Sequence, residues 1–297
     1  MRRPEQADAA VLLLPSPNGA RPAIAVAIDG NGRRVAADPY RGAVEAVVEC
    51  AANLACVGAE PLGLTNCLNF GNPEKPHIAW QLTRAVAGLG DACRAFGIPV
   101  VGGNVSLYNE GAEGPIYPTP VVGLVGELPD ARVANRLNFT TPGTAIALIA
   151  AGSWAPSLAA SELAKLRGEP VAGPLPTADL GELKALHAAI RQAVRAGALH
   201  SAHDVAEGGV AVALAEFALA SGLGATVTGL TDEAELFGEG PGAFLVSGPA
   251  GAMTAFGAAA RVIGEVGGDA VTIDGVLSIA LTDLERAHTE GLAGLLH

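Results

Sequence analysis

The chain has few aromatic residues, few basic residues and no long uninterrupted apolar run. Aromatics make up 4% of its 297 residues although 50% are hydrophobic, so a core must be built from Ala, Val, Leu and Ile. Lys and Arg number 18 against 30 Asp and Glu, which leaves a net charge of −12. This balance argues against nucleic-acid binding, which needs clustered basic side chains. A nucleotide ligand is compatible with it, since Mg²⁺ and backbone N–H groups can balance phosphate charge.

Membrane and disulfide signals are also missing. The start, MRRPEQADAA, is polar and unlike a signal peptide, and the longest uncharged run, residues 137–161, is interrupted by Pro and Gly. We therefore expect no membrane span. The four cysteines show neither CxxC nor Cys/His metal spacing, which predicts free, mostly buried thiols in a reducing cytoplasm: Cys50, Cys56, Cys67 and Cys93.

The first thirty residues predict two β-segments within 9–29, followed by a reverse turn at DGNG (29–32). Asp38 and Pro39 suit the N-cap and first position of a helix, and Gly58 suits the residue just beyond its end. The chain length predicts two domains of about 150 residues.

A strand–helix–strand unit follows. PLGLTNC (61–67) predicts a strand, apolar residues at helical spacing predict a helix over 77–96, and IPVV (98–101) predicts a second strand. A right-handed crossover makes the two strands parallel, so both end at the same edge of the sheet. The loops expected after them, NCLNFGN and GGNVSLYN, should lie side by side where open α/β sheets bind ligands. The pattern predicts a small-molecule site there.

The second of these loops carries residues suited to ligand contact. The glycines of GGN (102–104) would let backbone approach a ligand, the Asn104 amide oxygen suits Mg²⁺ or a hydroxyl, and the Ser106 hydroxyl suits a phosphate or an amide. An ordinary tight turn is the competing interpretation, because turns use the same residues. Neither a Walker loop nor a GxGxxG fingerprint occurs in the sequence.

The second half predicts a strand at 145–151, a long helix at 179–197, a short strand at 198–201, a helix at 209–220 and a strand at 243–247. Within SAHDVAEGGVAVALAE, His203 and Asp204 precede a glycine pair at a helix start. Such a start can bind an anion, or it is a capped helix whose dipole Asp204 and Glu207 complement, and we favour the cap. The chain has no GxSxG motif of a serine hydrolase.

Three long motifs carry a specific resemblance. NCLNFGNPEKPHIAWQL, VVGGNVSLYNE and SAHDVAEGGVAVALAE resemble the PurL family, the synthetase subunits of phosphoribosylformylglycinamidine (FGAM) synthase, and DGNGR and ADPYRGAVEAV extend the match. PurL duplicates the α/β module of the PurM-like superfamily, and this chain resembles the second copy. The resemblance implies an α/β (α+β) PurM-like fold, with an ATP-binding PurM-N-like domain over 1–132 and a PurM-C-like domain over 133–297.

The implied activity is that of an ATP-dependent C–N ligase of de novo purine synthesis. ATP phosphorylates the amide of formylglycinamide ribonucleotide (FGAR), and ammonia displaces the phosphate. The implied cofactors are ATP and Mg²⁺. The implied partners are a PurQ-type glutaminase that supplies ammonia, a PurS-type small subunit, and the N-terminal PurL half or a homodimer mate.

The resemblance also assigns four positions. Asn66 and Gly103 match ATP contacts, Asn104 matches an Mg²⁺ ligand, and Ser106 matches an FGAR contact. Asn66 replaces the Asp usual at its position and brings no charge. The family's catalytic histidines belong to the first copy, which no segment here resembles, so we expect no catalytic residue in this chain and a structural role for the histidine–aspartate pair of the third motif.

We therefore expect the chain to be inactive without a first half. Two alternatives stay open: a stand-alone homodimeric PurM-like kinase or synthetase, and a non-catalytic nucleotide-binding assembly module.

Overall fold

The computed structural model describes residues 6–295, and its first half forms a five-stranded sheet. The strands of this sheet, numbered in chain order, are β1 (Ala10–Leu13), β2 (Ala23–Asp29), β3 (Glu60–Asn69), β4 (Val100–Ser106) and β7 (Thr119–Leu128). Their spatial order is β1-β2-β7-β3-β4, so β1 and β4 are the edges. A small separate hairpin, β5 (Glu110–Gly111) and β6 (Gly114–Pro115), lies between β4 and β7 in the chain.

The central unit is as predicted: β3 and β4 are parallel and are joined by helix α3 (Pro76–Phe96). Gly97 ends the helix with φ 75°, a left-handed conformation that glycine adopts without strain. The other strand pairs of this sheet are antiparallel. The sheet is therefore mixed, with its parallel pair at one edge.

Helix α2 (Pro39–Cys56) begins and ends as its capping residues predict. The Asp38 carboxylate accepts hydrogen bonds from the backbone N–H groups of Tyr40 and Arg41, Pro39 occupies the first turn, and Gly58 has φ 83°. The predicted turn at 29–32 continues into a short helix that the sequence reading missed, α1 (Gly32–Ala37), because the Asn31 side chain caps it through Arg34 N–H.

The second half forms a seven-stranded sheet flanked by helices. Its strands are β8 (Ala145–Ala150), β9 (Ser201–Asp204), β10 (Ala225–Val227), β11 (Ala243–Gly248), β12 (Ala260–Val266), β13 (Ala270–Ile273) and β14 (Leu277–Ala280), in the spatial order β14-β13-β10-β12-β8-β11-β9. Its helices are α4 (Glu162–Leu166), α5 (Leu180–Arg195), α6 (Gly209–Ser221), α7 (Glu233–Phe237), α8 (Ala250–Met253) and α9 (Leu281–Leu295). 3₁₀ turns lie at Ala131–Val133 and Thr254–Ala259.

One secondary-structure prediction in this half was displaced. The short strand expected at 198–201 is β9, which pairs with β11 from Ser201 onward. A turn at Gly197, with φ 67°, separates α5 from this pairing and shifts the strand toward the C-terminus. The shift places His203 and Asp204 inside a strand.

The two sheets share one apolar cluster, in which α2 lies, and the second half has a further cluster of its own. Leu54 of α2, Ile190 of α5 and Phe244 of β11 are all buried in the same cluster. Helix α3 packs closely on α2, since a Cβ at Gly88 would overlap the Tyr40 carbonyl oxygen. The expected domain boundary at residue 132 falls in the connection between the sheets and stays a prediction. None of the helices within residues 6–295 has the length and apolar character that crossing a bilayer requires.

Candidate functional site

The ladder between β3 and β4 brings the predicted site residues close together. In its parallel register Asn66 lies opposite Gly103, Cys67 opposite Asn104, and Asn69 opposite Ser106. The prediction that the two polar segments lie side by side at one edge of a sheet is confirmed.

Their secondary structure differs from the prediction. Both segments were expected to be loops, but β3 continues through Asn69 and β4 through Ser106, so the residues lie on paired strands. The ladder uses backbone groups only, and it therefore runs through glycine and asparagine as readily as through valine. Gly103 has a packing role as well: a Cβ there would lie 2.5 Å from the Asn66 carbonyl oxygen.

Strand alternation divides the four positions between the two faces of the sheet. Asn104 and Ser106 are two residues apart and share a face with their opposite neighbours on β3, Cys67 and Asn69. Asn66 points to the other face, where Gly103 has no side chain to cover it. The structure thus gathers Asn104 and Ser106 on one face and Asn66 with Gly103 on the other.

The segments beyond the strand ends hold each other in place. Tyr108 N–H donates to the Gly71 carbonyl, and Asn109 N–H donates to the Phe70 carbonyl. The Asn109 amide also contacts the Ser106 hydroxyl at 3.1 Å. The Ser106 hydroxyl is therefore positioned by its own loop before any ligand arrives.

Strand β4 is open to solvent. Every residue from Val100 to Val105 is exposed, and Val101 keeps 73% of its surface accessible although it is apolar. Among residues 6–295, no strand pairs with its outer side. Apart from Glu60, β3 and β4 carry no carboxylate, so they offer only neutral oxygen donors. A divalent cation held by Asn104 would need phosphate oxygens or carboxylates from other segments.

A second polar cluster lies between the two halves, where Asp8, His203 and Asp204 are largely buried and Glu216 is exposed. His203 Nδ1 lies 3.0 Å from Asp8 Oδ1 and 3.6 Å from Asp204 Oδ1, and its Nε2 lies 2.9 Å from Glu216 Oε2. Burial alone would lower the pKa of His203, but Asp8 and Glu216 raise it well above its usual range. The donor atoms of Asp8, His203 and Asp204 lie within 4.8 Å of one another, close enough to hold a cation. Sequence reasoning missed Asp8, because a lone Asp before a strand gives no signal.

Carboxylates continue this cluster toward the first sheet. Asp29, at the end of β2, accepts a hydrogen bond from Asn53 at 3.0 Å, and burial raises its pKa to about 7. Burial likewise raises the pKa of Glu49 well above its usual range, with Glu207 and Asp29 adding to the effect. A cavity of about 190 Å³ is lined by polar side chains of this region, namely Glu49, Asn53, His203, Asp204, Glu207 and Glu216. The cluster favours a bound proton or cation.

The start of α6 corrects the capping prediction. Gly208, with φ 79°, occupies the N-cap, and no side chain in the described part of the chain caps the helix. Its N–H donates to Glu239 Oε1, which also accepts from Glu162 N–H. Asp204 lies on β9 and Glu207 bonds Asn31 across the halves, so neither caps α6. The structural role expected for His203 and Asp204 stays a prediction.

Two family models match the chain. The AIR synthase related protein N-terminal domain matches residues 6–128, and the AIR synthase related protein C-terminal domain matches residues 146–274. The phosphoribosylformylglycinamidine synthase subunit PurL of Anaeromyxobacter dehalogenans is 44% identical over 311 residues. That alignment covers 97% of this chain and 41% of the relative, so the chain spans less than half of the relative's length.

Solved structures show the same fold. Thermotoga maritima PurL complexed with FGAR superposes with a TM-score of 0.73 at 19% identity, over 89% of this chain and 46% of that one. Thermotoga maritima PurL complexed with ATP gives 0.70 at 18% identity, over 89% and 44%. The α/β class with a PurM-like N-terminal and C-terminal arrangement is confirmed.

Proposed function

The chain belongs to the AIR synthase related family, and on that premise we propose that it supplies the second half of the synthetase site of an FGAM synthase. The observation that carries this proposal is the exposure of β4. Three of the four family-matched positions lie on an edge strand that is open on both faces, as half of a shared site would be. The first half would come from a segment resembling the first PurL copy, on this polypeptide or on another.

The proposed reaction joins ammonia to FGAR at the expense of ATP. The FGAR amide oxygen attacks the γ-phosphorus of ATP, ADP leaves, and ammonia then displaces phosphate from the resulting imidate. A PurQ-type glutaminase and a PurS-type small subunit would supply the ammonia. Such chemistry depends on positioning and charge stabilisation rather than on a protein nucleophile.

Each family-matched residue has a role that its place in the sheet allows. The nucleotide would cross the open edge of β4, so that Asn66 beside the bare Gly103 contacts it from one face. From the other face, Asn104 would hold Mg²⁺ through Oδ1, and Ser106 would donate to FGAR. Mg²⁺ neutralises phosphate charge when bound. The Asn104 side chain fits such a cation, since its exposed amide has its nitrogen turned toward Cys67.

A chimaeric enzyme tests the proposal. This chain would replace the matched segment of Anaeromyxobacter dehalogenans PurL, and FGAM formation would be assayed with FGAR, ATP, Mg²⁺ and ammonia. We expect turnover from the chimaera and none from this chain alone. Asn104→Ala should remove most of the turnover, while Thr65→Ala, on the same face outside the four positions, should keep it.

The alternatives predict different results. Hydrolysis of ATP by a dimer of this chain alone would favour the homodimeric kinase or synthetase. Calorimetric binding of ATP that FGAR leaves unchanged, with an inactive chimaera, would favour the assembly module.

A further inference from the structure

A chain of hydrogen bonds crosses three adjacent strands on the face that carries Asn104. It begins at the Thr119 carbonyl of β7, passes through the side chains of Asn69 and Cys67 on β3, and ends at the side chain of Asn104 on β4. The register places these residues in line, since Thr119 lies opposite Asn69 and Cys67 lies opposite Asn104. We call this set the amide–thiol relay.

The contacts of Asn69 determine which atoms donate and which accept along the relay. Its Nδ2 donates to the Cys67 carbonyl at 3.2 Å and to the Thr119 carbonyl at 3.1 Å, which uses both N–H groups. Its Oδ1 therefore faces the Cys67 thiol, 3.8 Å away. A carboxamide oxygen only accepts, so the thiol is the donor in this contact.

Because the Cys67 thiol donates to Asn69, its role toward Asn104 is also determined. The thiol has one hydrogen, which is given to Asn69, so the sulfur can only accept from its other neighbour. Asn104 Nδ2 lies 3.8 Å from this sulfur and supplies the hydrogen. The Asn104 nitrogen is thereby turned toward the sheet, which leaves Oδ1 as the exposed atom.

We propose that Cys67 is a positioning residue that sets the orientation of the Asn104 carboxamide, so that Oδ1 and not Nδ2 faces a divalent cation. This inference rests on the proposed metal-binding role of Asn104. A hard cation binds only the oxygen, and an exposed amide without the relay divides its time between two orientations. The apparent affinity for the cation is proportional to the fraction of molecules in which Asn104 Oδ1 faces outward.

The first test reads the orientation without any activity. In the full chain with selectively ¹⁵N-labelled asparagine, the Asn104 Nδ2 protons should show a strong cross-relaxation contact to the Cys67 Hβ protons, because Nδ2 faces the Cys67 side chain. In Cys67→Ala, whose methyl group keeps Hβ protons, this contact should weaken, because the freed amide samples both orientations. Cys67→Ser, which keeps a donor and an acceptor, should restore most of the contact. A contact in Cys67→Ala as strong as in the unaltered chain would overturn the proposal.

The second test reads the consequence in the chimaeric enzyme. Cys67→Ala should raise the Mg²⁺ concentration for half-maximal rate by up to about two-fold, because the fraction of amides with oxygen outward falls at most to about one half. The rate at saturating Mg²⁺ should be unchanged, Cys67→Ser should recover the lost affinity, and Thr65→Ala should leave the Mg²⁺ requirement unchanged. An unaltered requirement in Cys67→Ala would overturn the proposal.

The two tests separate the inference from the proposed function. An oriented Asn104 amide together with an Asn104→Ala chimaera of normal Mg²⁺ requirement would refute the metal-binding role itself. An unoriented amide together with a strong loss in Asn104→Ala would refute only the role of Cys67.

Discussion

Along β4 the polar side chains are neutral and exposed, whereas around His203 they are charged and buried between the two halves. The buried charges are paired in part within the chain: His203 lies beside carboxylates at both ring nitrogens, and Arg34 pairs with Glu45 and Glu239. Burial demands this, because an uncompensated charge in the interior is costly. On β4, Asn104 keeps an exposed oxygen, and water supplies its hydrogen bonds at little cost. We therefore expect substitutions on β4 to affect ligand binding, and substitutions of the buried charged residues to affect stability.

Disrupting the buried ion pairs of Arg34 should have the largest effect on stability. Arg34→Met leaves two carboxylates without their cation: Nη2 donates to Glu45 at 2.9 Å, and Nη1 lies 3.6 Å from Glu239. We expect a loss of about 3–5 kcal/mol in the free energy of unfolding, measured by urea denaturation. Arg167→Met, in the exposed pair with Glu233, is the matched control and should change stability little. Equal losses in both variants would contradict the contrast.

The second prediction concerns pH. Since burial raises the pKa of Asp29 to about 7, the folded chain binds more protons than the unfolded chain between about pH 4 and pH 7. Stability contributed by this group is present at low pH and falls as pH rises through that window. Asp29→Asn should therefore be more stable than the unaltered chain at pH 8, by up to about 4 kcal/mol, with the difference vanishing near pH 4.

Urea denaturation in EDTA at pH 4, 6 and 8 measures the difference. A variant less stable than the unaltered chain at pH 8 would show that the Asp29 carboxylate is stabilised there by a partner, and would refute the prediction.

Substitution of Gly103 tests whether close packing constrains the exposed strand β4 at that position. Gly103→Ala places a methyl group 2.5 Å from the Asn66 carbonyl oxygen, so β4 must move away from β3. We expect a cost of about 1–2 kcal/mol in thermal or urea denaturation. Gly111→Ala, where a Cβ would meet no atom within 4 Å, should cost much less. A Gly103→Ala chain as stable as Gly111→Ala would show that the edge strand adapts freely.

The smallest effect on stability should come from Asn104. Asn104→Ala removes an exposed side chain with one weak contact to sulfur, so the free energy of unfolding should change by less than about 0.5 kcal/mol. The same substitution should abolish most chimaera turnover. A large loss of stability would show that Asn104 is needed for the folded structure and would contradict its proposed role in ligand binding.

Sequence reasoning reached the fold where local rules are strong. The helix over Pro76–Phe96 follows from apolar spacing and a terminal glycine, and the parallel pairing of β3 with β4 follows from the crossover rule. It failed at β4, because the sequence GGN is typical of a turn. Only backbone pairing with the neighbouring strand makes this segment part of a strand. The division of Asn66 and Asn104 between faces depends on register, which no single segment specifies.

The buried cluster was out of reach for another reason. Asp8 and His203 are far apart in the chain, and only the packing of the two sheets brings them together. The relay through Cys67 needed three strands in register. Neither arrangement has a short sequence signature.

Helix α2 bears on how the molecule unfolds. Its buried side chains belong to the first half in sequence, yet they complete the apolar cluster that also holds Ile190 and Phe244. Removing either sheet would strip cover from this helix and leave Glu45 and Glu49 beside exposed apolar surface. Because this cluster is shared, loss of one half should destabilise the other, although the second half also holds an apolar cluster of its own that includes Phe139 and Phe217.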